Sequence, residues 1–258
     1  MKEFSLFEKI SAALVGLAGL LYVITYVVAL AGGPSYGTPT GVFVVNGIGN
    51  LVYALLIFGA LIFAVIERRL LVGIIVASLK ITLPYGSSFI RTALAGGSMD
   101  FGQAGTIFGL LFFLLAIGLI VMLVFVAKET KFEFIPFKWL SFLDPILVFA
   151  YLILFDSFSY ALITSLAEVV ASLLLAAMTA ELLFISVFVR VPFAIIITII
   201  ESTGNGPKPT ITFGLVLAWV LGILLLAYGI YALIVHIRHS RHEKHEDTPQ
   251  PQKEPALE

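Results

Sequence analysis

An all-α bundle of seven or eight membrane-spanning helices joined by short loops is the fold class this sequence predicts, and three observations lead to it. Hydrophobic residues make up 60% of the 258-residue chain and charged residues only 12%, whereas an ordinary soluble domain carries about 25% charged residues. Mean hydropathy is +1.09. Apolar stretches long enough for a helix to cross a hydrocarbon core, about 20 residues, recur along the whole sequence. The medium such a chain is built for is the lipid bilayer.

The first four spans fall at Ile10–Leu30, Val42–Ile66, Leu70–Leu94 and Ile107–Val126, and their flanks agree on orientation. Lys2 and Lys9 precede the first, Arg68 and Arg69 follow the second, and Lys128, Lys131 and Lys138 follow the fourth. The alternate connections, Gly32–Thr40 and Gly96–Gln103, contain no Lys or Arg. The positive-inside rule therefore places the N-terminus in the cytoplasm. No small-residue cleavage site separates the first span from the next loop, so it reads as a retained helix of a plasma-membrane protein rather than a signal peptide.

The second half divides in two ways, because Trp139–Glu201 holds no glycine and only two prolines, Pro145 and Pro192. One division gives spans at Trp139–Phe155, Phe158–Met178, Leu182–Ile200 and Phe213–Val235, with a turn at Thr179–Glu181. The other runs a single helix from Phe158 to Arg190 and makes Pro192–Glu201 a re-entrant segment of half a bilayer, about 15 Å. Eight spans leave Arg238, Arg241 and Lys244 inside, so charge favours that division. The bundle then occupies residues 1–240, and 241–258 reads as a polar, Pro-rich, disordered cytoplasmic tail.

Several classes of chemistry are excluded by what is missing. The chain has no cysteine, hence no disulfide, thiolate metal site or thiol nucleophile. All four histidines, His236, His239, His242 and His245, lie near the C-terminal end, spaced by three. That spacing is a weak metal signal, since interleaved Arg238, Arg241 and Lys244 oppose a cation; a basic helix end or a pH-responsive cluster are the alternatives. Net charge is −1 without a basic field, so there is no signature of direct nucleic-acid binding. Phosphate-binding glycine loops and nucleophilic triads are also missing. The expectation is no enzyme and no cofactor.

Charge inside the apolar second half is what calls for a reason, because an ionised residue at mid-membrane costs roughly 2.5–3.5 kcal/mol on insertion scales. Ser165, Glu168, Ser172 and Thr179 share one helical face at spacings of 3, 4 and 7. This stripe either lines a pathway or coordinates a cation, with Glu168 as its carboxylate, or its Ser and Thr bond their own helix backbone and Glu168 is neutral or paired inside the bundle. Arg190 either pairs with Glu168 across antiparallel helices or snorkels to the interface. Asp144, ahead of Pro145, reads as a helix N-cap, and Asp156 and Glu201 as helix-end residues. Glu181 sits at a turn or in mid-membrane, depending on the division.

The third span combines Lys80, Pro84, Gly86 and Arg91 with Ser87, Ser88 and Thr92, a composition that predicts a discontinuous helix. Lys80 against Glu168 or Glu181 would neutralise both, and an anion or proton site is the alternative. Asn46, Asn50 and Tyr53 form a polar face on the second span, suited to interhelical hydrogen bonding. Gly105 with Gly109, and Gly214, Ala218 and Gly222, predict close helix contacts. The sites to test are thus Glu168, Arg190, Lys80, Glu181, Arg91, Ser165 and Ser172. Two function classes fit: a transporter or conduit for an ion or solute, and a non-catalytic subunit of a larger membrane complex, such as a macromolecule-translocation machine, with homo- or hetero-oligomeric partners in the membrane.

Overall fold

The computed structural model describes residues 5–34, 40–66, 69–96, 99, 101–129, 135–146, 149, 161–179, 182–203 and 213–246, except for the side chains of 63, 65, 66, 69, 129, 161–165, 186, 213–215, 218, 240 and 243–246. Seven α-helices lie in this region: α1 (Leu6–Gly32), α2 (Thr40–Ile66), α3 (Arg69–Leu94), α4 (Ala104–Glu129), α5 (Ala161–Met178), α6 (Leu183–Thr203) and α7 (Phe213–Glu246). A short 3-10 turn, Lys138–Phe142, precedes a helical stretch at 143–146. No strand occurs among the described residues. Six of the helices (α1 to α4, α6 and α7) are long and apolar enough to cross a membrane, and α5 adds a shorter apolar segment, Leu166–Met178. The chain is an integral membrane protein by this measure.

Local chemistry accounts for the helix ends. Ser5 caps α1 in a reciprocal box: the Glu8 N–H donates to Ser5 Oγ at 3.3 Å, and the Ser5 N–H donates to Glu8 Oε2 at 2.6 Å. At its other end Gly33 adopts φ +79°, a conformation that disfavours any side chain.

Helix α1 packs antiparallel to α4, α2 to α6, α3 to α5 and α6 to α7, whereas α1 and α3, which also touch, run parallel. Phe7 at the start of α1 stacks on Phe125 near the end of α4, with ring centroids 4.7 Å apart. Gly49 of α2 faces Phe193 of α6, and Gly41 faces Ile200. On the other side of α6, Gly229 of α7 lies against the Phe184 backbone and Gly222 against Val191. Consequently the start of α1, the start of α3, the α5–α6 junction and the C-terminal part of α7 lie at one end of the bundle. Of the small residues marked in the sequence, Gly109 packs on Phe89 and Gly222 on Val191, whereas a Cβ at Gly105 would have nothing within 4 Å.

The bundle is organised around α3. In its most apolar window 78% of residues are buried, against 22% to 33% for the other five spans. Leu71, Ile74, Ile75 and Leu79 are fully enclosed by α1, α2, α4 and α5. The outer helices turn large apolar residues outward, as Leu17, Leu20 and Ile24 do on α1 and Leu111, Leu114 and Ile117 on α4. Those faces meet lipid, where exposed apolar surface carries no penalty.

Two expectations are corrected here. The third span is one continuous helix through Pro84. Ser87 Oγ donates to the Pro84 carbonyl at 2.8 Å, and Gly86 lets the Phe113 backbone of α4 approach so closely that a Cβ would lie 2.8 Å from its Cα. These contacts accompany an unbroken helix where the sequence alone would predict a break. The single helix from Phe158 to Arg190 is likewise not found: α5 ends at Met178 and α6 starts at Leu183, then continues through Pro192. Residues 147–160 lie almost wholly outside the described part, so most of the span expected at Trp139–Phe155 does too. Helix α7 continues to Glu246, past the boundary that composition sets at 240.

Candidate functional site

Lys80 lies eleven residues into α3 from Arg69, about 16 Å along the helix axis and so near the middle of a hydrocarbon core of about 30 Å. At that depth its ammonium needs a partner, and the 139–146 segment supplies one. The 3-10 turn packs on α5 and α7, with Ser141 Oγ donating to the Lys138 carbonyl at 2.6 Å and to the Ala176 carbonyl of α5 at 3.0 Å. The chain then carries Asp144 into the bundle interior, where its side chain has no exposed surface. Lys80 Nζ donates to Asp144 Oδ2 at 2.9 Å, and Arg190 of α6 donates through a guanidinium nitrogen to Asp144 Oδ1. One carboxylate therefore ties α3 and α6 to the segment before α5.

This arrangement revises three readings. Asp144 lies inside the helical stretch at 143–146 rather than ahead of it, and its two oxygens receive cations. Arg190 pairs with Asp144 rather than with Glu168, and it does not snorkel to an interface. Lys80 likewise pairs with Asp144 and not with Glu168. The Asp-Pro dipeptide is a common helix-start signal, and it masked the most deeply buried acid among the described residues.

Beside the triad lies a cavity of about 330 Å³. Lys80, Glu168 and Arg190, three of the charges singled out in the sequence, all line it, and so do Asn46, Asn50 and Tyr53 of the polar face on α2. Tyr22 of α1, which the sequence reading did not mark, completes the polar wall. Hydrogen bonds fix that wall: Tyr22 Oη donates to Asn50 Oδ1 at 2.6 Å, Asn50 Nδ2 to the Asn46 carbonyl at 2.8 Å, and Tyr53 Oη to the Ala77 carbonyl of α3 at 3.1 Å. Glu168 is half-buried on α5, and no side chain among the described residues pairs with it.

A second polar cavity, about 350 Å³, follows farther along α3, lined by Thr25, Tyr85, Ser88, Thr92, Gln103 and Thr106 among others. A tyrosine cluster separates the two. Tyr22, on the wall of the first cavity, meets Tyr85, on the wall of the second, edge to face at 5.8 Å between ring centroids. Tyr26 packs edge-on against Tyr22 at 4.8 Å, and its hydroxyl lies 2.6 Å from that of Tyr85.

The remaining candidates fall elsewhere. Ser172 is fully buried on α5 next to Asp144. Arg91 stands three turns beyond Lys80 on α3, outside the first cavity. Glu181 and the Ser165 side chain lie outside the described residues. Along α7, His236 is buried while His239 and His242 are exposed, and the His245 side chain lies outside the description. No group of three metal-ligating side chains comes together among the described residues.

No known protein family, curated protein or solved structure was found to match this chain. The functional reading therefore rests on the site itself.

Proposed function

We propose that this integral membrane protein is a non-enzymatic transporter or conduit that moves an ion or small solute across the plasma membrane. The observation that carries the reading is the succession of two polar cavities along α3, the first at mid-bundle depth and lined by Lys80, Glu168 and Arg190, divided by the Tyr22–Tyr26–Tyr85 cluster. Ionisable groups are expensive at that depth and, inside membrane bundles, typically face substrate or ion pathways. In this reading a solute rests against the charged wall of the first cavity, and movement of the tyrosine rings opens the way to the second. Asp144 holds both cations in place without itself reaching the cavity.

A second reading has its own support. Both oxygens of Asp144 are occupied by cations from the same chain, which is what a structural staple in a non-catalytic subunit of a membrane complex would need. Flux measurements with the purified chain in proteoliposomes separate the two. Uptake of any ion or small solute above that of empty vesicles supports the transporter. Vesicles that move nothing, with a protein that co-purifies in fixed stoichiometry with other membrane chains, overturn it in favour of the subunit.

A further inference from the structure

The charges around the first cavity specify more than a polar hole. Among the described residues Lys80 and Arg190 contribute two positive formal charges and Asp144 and Glu168 two negative ones, so these four balance. The balance is not local. Asp144 engages both cations from one side, while Glu168 stands on the wall apart from any ion pair among the described residues. Arg190 keeps 38% of its side chain exposed and gives Asp144 only one of the five N–H donors that a guanidinium carries. The cavity therefore presents a carboxylate and a partly engaged guanidinium to whatever enters.

An occupant of single charge suits such a wall badly. A simple cation satisfies Glu168 but meets Lys80 and Arg190, and a simple anion does the reverse. Either would also bring a net charge into a low-dielectric interior, which is strongly unfavourable. A solute that carries an ammonium and a carboxylate together matches both groups and leaves the total charge at zero. Tyr22, Tyr53 and Phe193 add aromatic rings to the same wall, the residue type whose faces attract ammonium groups. A volume of about 330 Å³ lies at the small end of the range of ligand pockets, ~300–1,000 Å³.

We infer that the cavity binds a small zwitterionic solute of amino-acid size, with its carboxylate on Arg190 and its ammonium on Glu168. The inference rests on the transporter reading for its consequence but on the cavity alone for the binding.

The test uses the full chain, purified and reconstituted, with glycine and glycine betaine as zwitterions, choline as the cation-only probe and acetate as the anion-only probe. Equilibrium binding and vesicle uptake are measured for each. The expected result is that a zwitterion binds at least about tenfold more tightly than choline or acetate, and that Glu168→Gln loses about tenfold of that affinity, the worth of one hydrogen bond to a charged group, while Glu168→Asp retains part of it. Thermal unfolding and gel-filtration profiles establish that both variants are folded. Choline or acetate binding as tightly as the zwitterions overturns the inference, and so does a folded Glu168→Gln variant that binds them unchanged. Uptake of sodium or chloride without zwitterion binding overturns it and leaves the transporter reading standing. Zwitterion binding without uptake of any solute supports the inference and removes the transporter reading.

Discussion

The Lys80 ammonium stands 2.9 Å from Asp144 Oδ2, with the lysine side chain 10% exposed and the aspartate fully enclosed. Desolvation of that kind makes a pair costly to assemble and costlier to break. Asp144→Leu, which strands two cations, is expected to destabilise the protein by about 3–5 kcal/mol. The lower part of that range applies, because Arg190 is 38% exposed and partly hydrated. Adding Lys80→Met to Asp144→Leu should recover part of the loss, as the double variant no longer buries the unpaired lysine. Thermal unfolding in detergent reads all four corners of the cycle, and strictly additive losses would mean that the two residues are not coupled.

The close approach of α3 and α4 at Gly86 gives a prediction about packing. A Cβ there meets the Phe113 backbone at 2.8 Å, and backbone cannot rotate out of the way. Gly86→Ala should cost about 1–3 kcal/mol, the usual effect of overpacking. Gly16, within α1, has nothing within 4 Å of its would-be Cβ, so Gly16→Ala should be neutral or gain up to about 1 kcal/mol from helix propensity. Equal melting temperatures for the two variants would contradict the α3–α4 contact.

The tyrosine cluster separates a stability effect from a flux effect. Tyr85→Phe removes only the 2.6 Å hydroxyl contact with Tyr26, and should cost about 0.6 kcal/mol, the average for hydrogen bonds between membrane helices. Tyr85→Ala removes the ring that lies between the two cavities. In proteoliposomes it should raise the passive leak of small solutes several-fold, whereas Tyr85→Phe should leave the leak unchanged. An unaltered leak in the alanine variant would refute the cluster's part in closing the pathway.

Sidedness can be read by labelling, because the sequence has no native cysteine to remove. Leu6 and His242 are exposed at the α1 and α7 ends that share one face of the bundle, and Leu94 is exposed at the opposite end of α3. Single cysteines at positions 6 and 242 should react with a membrane-impermeant reagent from the same side, and a cysteine at 94 from the other. The positive-inside flanks predict that this shared side is the cytoplasmic one. Labelling of positions 6 and 242 from opposite faces would break the antiparallel order of the helices.

By itself the sequence determined the medium, the helical class and the bounds of the first four spans to within a few residues, because a long apolar run with polar flanks has one low-energy solution in a bilayer. Periodicity also placed Asn46, Asn50 and Tyr53 on one face of α2, since spacing along a helix fixes which residues share a side. It could not decide which helix lies at the centre. Helix α3, the most polar span in its second half, became the most enclosed because its charges and broken pattern can be satisfied only by neighbours on every side. Nor could spacing choose the partner of Lys80 and Arg190 among Asp144, Glu168 and Glu181, since ion pairing depends on distances between segments 64 and 46 residues apart in the chain. Tertiary structure alone decided that Asp144 joins the two cations and that Glu168 lines the same cavity as both of them, because Coulomb energy in a low-dielectric interior follows separation in space and not order in sequence.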